Sequence, residues 1–216
     1  MPQSPRLAGI SVLRGIAITA VLLIHIQAGL PPWIYHFFPL SLGFIATDQA
    51  SRMAVPVFLM VSGYLLEQKY REQAVPWREF LWKRVGQLLP LYVLWSIAFI
   101  GIKWFIPSWN MPQIEFSLAG IGQALLLGKA EYHLYFIPLI LQFYLLFLVL
   151  HRLIEQWPKA VLCLSFLLQV VWIAWIETVL SAPAYTGWLR TDHAQYVVVI
   201  SWIGYAVLGM YFARQK

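Results

Sequence analysis

Arg14 and His25 stand eleven positions apart inside one apolar run, Leu13–Ile26. On a helix, eleven steps of about 100° bring the second side chain to within about 20° of the first, roughly 16 Å further along the axis. The residues between them include Ile-Ala-Ile-Thr-Ala-Val-Leu-Leu-Ile, a membrane-spanning composition. A guanidinium in hydrocarbon costs on the order of 2.5–3.5 kcal/mol by insertion scales unless it pairs or faces water. The spacing therefore predicts a polar stripe turned to the inside of a helix bundle. Its arginine would suit an anionic group, and its histidine can accept a proton near neutral pH.

The elements that must hold this stripe follow from composition. Of 216 residues, 61% are hydrophobic and 11% charged, where a soluble domain has roughly 25% charged. The mean hydropathy is +0.70. An integral membrane protein of the all-α class is predicted, a polytopic transmembrane helix bundle. Its six spans cover about residues 8–27, 49–66, 84–106, 134–153, 160–180 and 195–213. The apolar runs are long and do not alternate, which favours helices over a barrel. The second span holds Pro56 and Gly63, and reads as the one broken segment. The loop 107–133 is the longest connection, and its middle, Phe116–Leu127, is apolar enough to lie along the interface or dip back into the bundle. The single cysteine, Cys163, reads as a buried packing thiol. Arg14 interrupts the first apolar core, which argues against a cleaved signal peptide.

With a cytoplasmic N-terminus, Arg6, Lys69, Arg71, Arg78, Lys83, Arg84, Arg152, Lys159, Arg214 and Lys216 fall inside, against Arg52, Lys103, Lys129 and Arg190 outside. That ten-to-four bias obeys the positive-inside rule and predicts a multi-pass protein with both termini cytoplasmic. It also accounts for the net charge of +6, since no basic run with interleaved aromatics points to nucleic acid. Trp33, Trp104, Trp109 and Trp188 fall near the outer interface and Trp77, Trp82 and Trp157 near the inner one, as aromatic belts do.

This orientation sorts the polar residues by depth. Arg14, Ser62, Lys83, Arg84 and Gln87 form an inner group whose cations suit a phosphate-bearing ligand. His25, Asp48, Arg52, Glu131 and His133 form an outer group containing a possible base. Each also has a plainer reading. Arg14 fits a structural ion pair, Arg84 a topology anchor, and His25 and His133 interfacial positions. Ser62 has no base beside it in sequence, so helix packing on Ser62–Gly63 competes with any ligand role. His36, His151 and His193 read as loop or interface residues. The histidines lack metal-ligand spacing, and no nucleotide-binding glycine loop is present.

Four motifs in order resemble the membrane acyltransferase 3 family. They are Leu13-Arg14-Gly15-Ile16-Ala17 with His25, then Val55-Pro56-Val57-Phe58-Leu59-Met60-Val61-Ser62-Gly63-Tyr64-Leu65, then Phe80–Tyr92 with Lys83-Arg84, then His133-Leu134-Tyr135-Phe136-Ile137. The resemblance runs from about residue 7 to 213 and covers the N-terminal part of the family domain. The chain then reads as one acyltransferase-like domain, 1–216, without the family's C-terminal spans. Gln87 stands where the family usually has a second arginine before span three, with Lys83 a possible substitute.

The resemblance implies transfer of an acyl group, most often acetyl, from acyl-CoA to a hydroxyl of a cell-surface carbohydrate or its lipid-linked precursor. The localisation implied is the cell inner membrane. Acyl-CoA would be a donor substrate rather than a resident cofactor. His25, Arg14 and His133 would be the catalytic residues. His25 would deprotonate the acceptor hydroxyl or a carrier group, and His133 would orient the acceptor or steady the oxyanion. Arg84, Lys83 and Ser62 would hold the donor, with Arg14 sharing its negative charge. The alternative is a non-catalytic truncated bundle or a transporter-like protein.

Overall fold

Long apolar runs with their own backbone hydrogen bonds satisfied leave helices as the natural outcome. Helices are the only regular structure among the described residues of a computed structural model, 5–28, 40–106, 117–180 and 191–215. Among the described residues, three helical stretches are long and apolar enough to cross a membrane: Trp77–Phe105, His133–Gln156 and Pro158–Val179. Gly9–Leu23, Leu118–Leu127 and Val199–Arg214 are apolar but shorter. Trp77, Trp82, Trp104 and Trp157 are exposed, and so is Trp95 in the middle of its helix. Trp33, Trp109 and Trp188 lie outside the described residues.

The chain divides into two compact units, residues 1–69 with 205–216, and residues 70–204. In the first, α1 (Pro5–Ala28) packs on α2 (Leu40–Ser51), a helix that the sequence reading did not anticipate. A turn at Arg52–Met53 leads into α3 (Ala54–Tyr70). Pro56 therefore sits in the first turn of α3, where its missing N–H leaves no helical bond unmade. The interruption precedes Pro56 instead of falling on it. The last helix, α9 (Ile203–Arg214), meets α3 backbone to backbone. A Cβ on Gly63 would fall on the Ala206 carbonyl oxygen, and one on Gly209 on that of Met60. Small residues let apolar helices approach this closely, where dispersion rather than the hydrophobic effect holds them. Gly63 thus belongs to the packing reading. At the end of the same seam, the fully buried Glu67 accepts from Arg214 Nε at 2.6 Å.

The second unit is built on α4 (Trp77–Phe105), about 43 Å long at 1.5 Å per residue. It packs on α6 (Phe136–Gln156), and α6 on α7 (Pro158–Trp175). Between α4 and α6, the apolar part of the long loop forms α5 (Leu118–Leu127). Ser117 caps its start, accepting from Gly120 N at 3.0 Å. Gly128 ends it at φ +66°, a left-handed position that favours glycine. Tyr92, Ile100, Ala124, Ala130 and Leu134 share one apolar cluster, so α5 turns back along α4. The stretch is thus helical and packs part of one face on α4, while Leu118 and Leu126 stay exposed.

The sixth apolar stretch is broken. The helix α8 (Thr191–Val197) stops at Val198, and a short 3₁₀ turn, Val199–Trp202, precedes α9. Neighbouring side chains take up the freed backbone groups. Gln142 donates to Val197 O at 2.8 Å and accepts from Val199 N at 3.3 Å. Gln169 accepts from Gly204 N at 3.0 Å. Backbone satisfied by neighbouring helices is what permits such a break at membrane depth. The chain therefore has a second interrupted apolar segment beside the one expected.

Two other readings are corrected. Cys163 is exposed rather than buried. The buried stripe of α7 runs Val161, Ser165, Gln169, and a residue two positions after Val161 falls on the far side of the helix. His151 is buried in α6 against the Phe147 ring, 5.6 Å between centroids, and is no loop residue. His36 and the His193 side chain lie outside the described residues.

Candidate functional site

Three of the six candidates, Arg14, His25 and Ser62, belong to the first unit. α1 carries Arg14 and His25 on one face by its helical period, as the spacing required. Arg14 is exposed and His25 half-buried. The expected interior stripe is therefore realised only in part, because α2 covers a limited part of α1 and leaves Val12, Leu13, Ile16, Ile18, Leu22 and Ile26 exposed as well. Ser62 is half-buried on α3, beside the glycine that meets α9. Asp48 and Arg52 form an exposed ion pair of 2.9 Å with each other.

Lys83, Arg84 and His133 belong to the second unit. Near the start of α4, Lys83 is exposed and Arg84 half-buried. The Arg84 guanidinium lies over Tyr144 at 5.3 Å and Phe80 at 5.9 Å from the ring centroids. Those rings are fixed in turn. Phe80 packs edge-on to Tyr70 and Tyr144 and beside Phe147. Attraction between cation and ring face orients the guanidinium without neutralising it. Among the described residues, neither Arg84 nor Lys83 forms an ion pair, and Arg14 forms none either. Gln87, one turn on, is exposed and supplies no charge.

At the other end of α4 the arrangement is different. His133 sits in a 3₁₀ turn, Tyr132–Tyr135, half-buried, with its ring edge-on to Phe99 at 5.6 Å. Just before it, Glu131 is buried, and Lys103 Nζ lies 3.5 Å from its carboxylate. The same ammonium donates to Ala130 O at 2.6 Å. Lys103, expected from the charge bias to serve topology alone, is thus a half-buried partner of the turn that carries His133. Two ion pairs, Lys103–Glu131 and Glu67–Arg214, were missed because each joins residues far apart in sequence. A cation in the last turn of one apolar segment and a carboxylate at the head of the next was the only available hint of the first.

The half-buried cations Lys103 and Arg214 thus have buried carboxylates, whereas Arg14, Lys83 and Arg84 form no ion pair among the described residues. An unpaired guanidinium held by aromatic faces can take a phosphate by paired hydrogen bonds. A half-buried imidazole can accept or donate a proton. No curated protein and no solved structure matches the chain. The model of the family described as an acyltransferase domain, Acyl_transf_3, matches residues 7–216, with the match covering the N-terminal part of the family domain. With its motif residues carried on apolar helices and that match spanning nearly the whole sequence, the chain belongs to the Acyl_transf_3 family of membrane acyltransferases.

Proposed function

We propose that this protein is an O-acyltransferase of the cell inner membrane that moves an acetyl group from acetyl-CoA to a hydroxyl of a surface carbohydrate or its lipid-linked precursor. In this reading it crosses the membrane several times with both termini cytoplasmic. The observation that carries the proposal is the contrast among its cations. Lys103 and Arg214 are matched by buried carboxylates, while Arg14, Lys83 and Arg84 have none among the described residues. All three stand in the family's motifs. Arg84 and Lys83 hold the donor's phosphates, and Arg14 and Ser62 have the donor-binding part that their own motifs imply.

The reaction needs no group beyond donor, acceptor and these side chains. His25 takes the proton of the acceptor hydroxyl as its oxygen adds to the thioester carbonyl. The carbon–sulfur bond then breaks, and the proton passes to the departing CoA thiolate. His133 donates to the developing oxyanion or orients the acceptor.

The test follows labelled acetyl from CoA to glycan in membranes containing the full chain. His25→Ala is expected to lower transfer by at least about 10²-fold with membrane insertion unchanged, because a base of this kind contributes about that much. Arg84→Ala is expected mainly to raise the apparent KM for acetyl-CoA, since a phosphate contact made equally in ground and transition states is uniform binding. Near-normal turnover in His25→Ala removes the base assignment.

A further inference from the structure

We propose that Lys103 is a positioning residue for His133, acting through the turn that carries it; this rests on His133 having the role in acyl transfer given above. Four contacts bracket the histidine. Lys103 Nζ bonds the carbonyl of Ala130 at 2.6 Å and lies 3.5 Å from the carboxylate of Glu131. Leu134 N, immediately after the histidine, donates back to Glu131 O at 3.0 Å. Phe99 meets the imidazole edge-on. Phe99 and Lys103 are four residues apart on α4, so one face of that helix supplies both grips, one turn apart.

The ammonium is therefore held at two points of one short loop, with side-chain exposures of 12% for Lys103 and 6% for Glu131. At such burial a charge must be matched, and removing one partner leaves the other stranded. A topology anchor would keep its ammonium in water, and this one does not. Tyr92, lower on the same helix, donates to Leu125 O at 2.5 Å and fastens the end of α5, the segment that delivers the turn. α4 thus presents a row of side chains, Tyr92, Phe99 and Lys103, that sets where the His133 backbone can lie.

The experiment uses the full chain in membranes with three variants: Lys103→Met, which removes the charge but keeps the stem, Lys103→Arg, and Lys103→Met combined with Glu131→Gln. Two readouts are taken. One is transfer, split into kcat and the apparent KM values. The other is the rate at which diethylpyrocarbonate modifies His133, followed on its own peptide by mass spectrometry. Lys103→Met is expected to lower kcat at least tenfold with the KM for acetyl-CoA within twofold, and to change the His133 modification rate at least threefold. Lys103→Arg is expected to restore both to within about threefold of the parent. The double variant is expected to recover insertion and abundance but not kcat. An unchanged modification rate in an inserted Lys103→Met overturns the proposal. So does a rate change that Lys103→Arg fails to reverse. If the parent chain transfers no acetyl group, the catalytic reading fails while the modification rate still decides whether Lys103 sets His133.

Discussion

Lys103 and Arg214 have their charge matched inside the protein, and Arg84 does not. That difference divides the charged residues into those that hold the fold and those free to meet a ligand. Glu67 is fully buried against Arg214, so Glu67→Ala strands a guanidinium. A loss of about 3–5 kcal/mol is expected, read as a lowered unfolding midpoint in detergent micelles. Glu67→Leu with Arg214→Met is expected to recover most of it, because a well-packed apolar pair avoids the desolvation of both charges. The motif residues were legible because their rarity in apolar runs marks them. Arg14, His25 and Arg84 stand out in any hydropathy reading. Their surroundings were not. Nothing local says that Phe80 and Tyr144 meet one guanidinium, or that Glu67 finds a partner 147 positions away.

Helices were legible where length and apolarity agree, as for α4, α6 and α7. The misses have two causes. α2 was hidden because its apolar residues lie close to the second span, and a two-residue turn separates two helices that read as one span and a loop. The break at Val198 was hidden because its sequence is as apolar as a continuous helix, and the glutamines that make it tolerable come from α6 and α7. Pro56, by contrast, signals a helix start when its missing donor falls in the first turn. The seam between α3 and α9 depends on absent side chains. Gly209→Val is expected to force the helices apart and to lower the yield of folded protein several-fold in size-exclusion profiles, since its Cβ would fall on the Met60 carbonyl. Gly86→Ala, on the open surface of α4, is expected to leave that profile intact.

At the scale of the whole molecule, the charge bias fixes the proposed orientation. Setting aside the two cations paired with carboxylates inside the protein, Lys103 from the outer set and Arg214 from the inner, turns ten against four into nine against three, and the bias stands. Reporter fusions after Ala130 and after Lys159 are expected to report outside and inside respectively. The same side for both would sink the topology. The exposed thiol on α7 has a practical corollary. As the chain's single cysteine, turned away from the packed stripe, it can carry one bilayer-soluble fluorophore with no background labelling and no engineered substitution. It stands four residues beyond Lys159, about 6 Å along the helix. Quenchers attached at graded depths along the acyl chains then make it a ruler, and one placed shallow in the inner leaflet should dim it most.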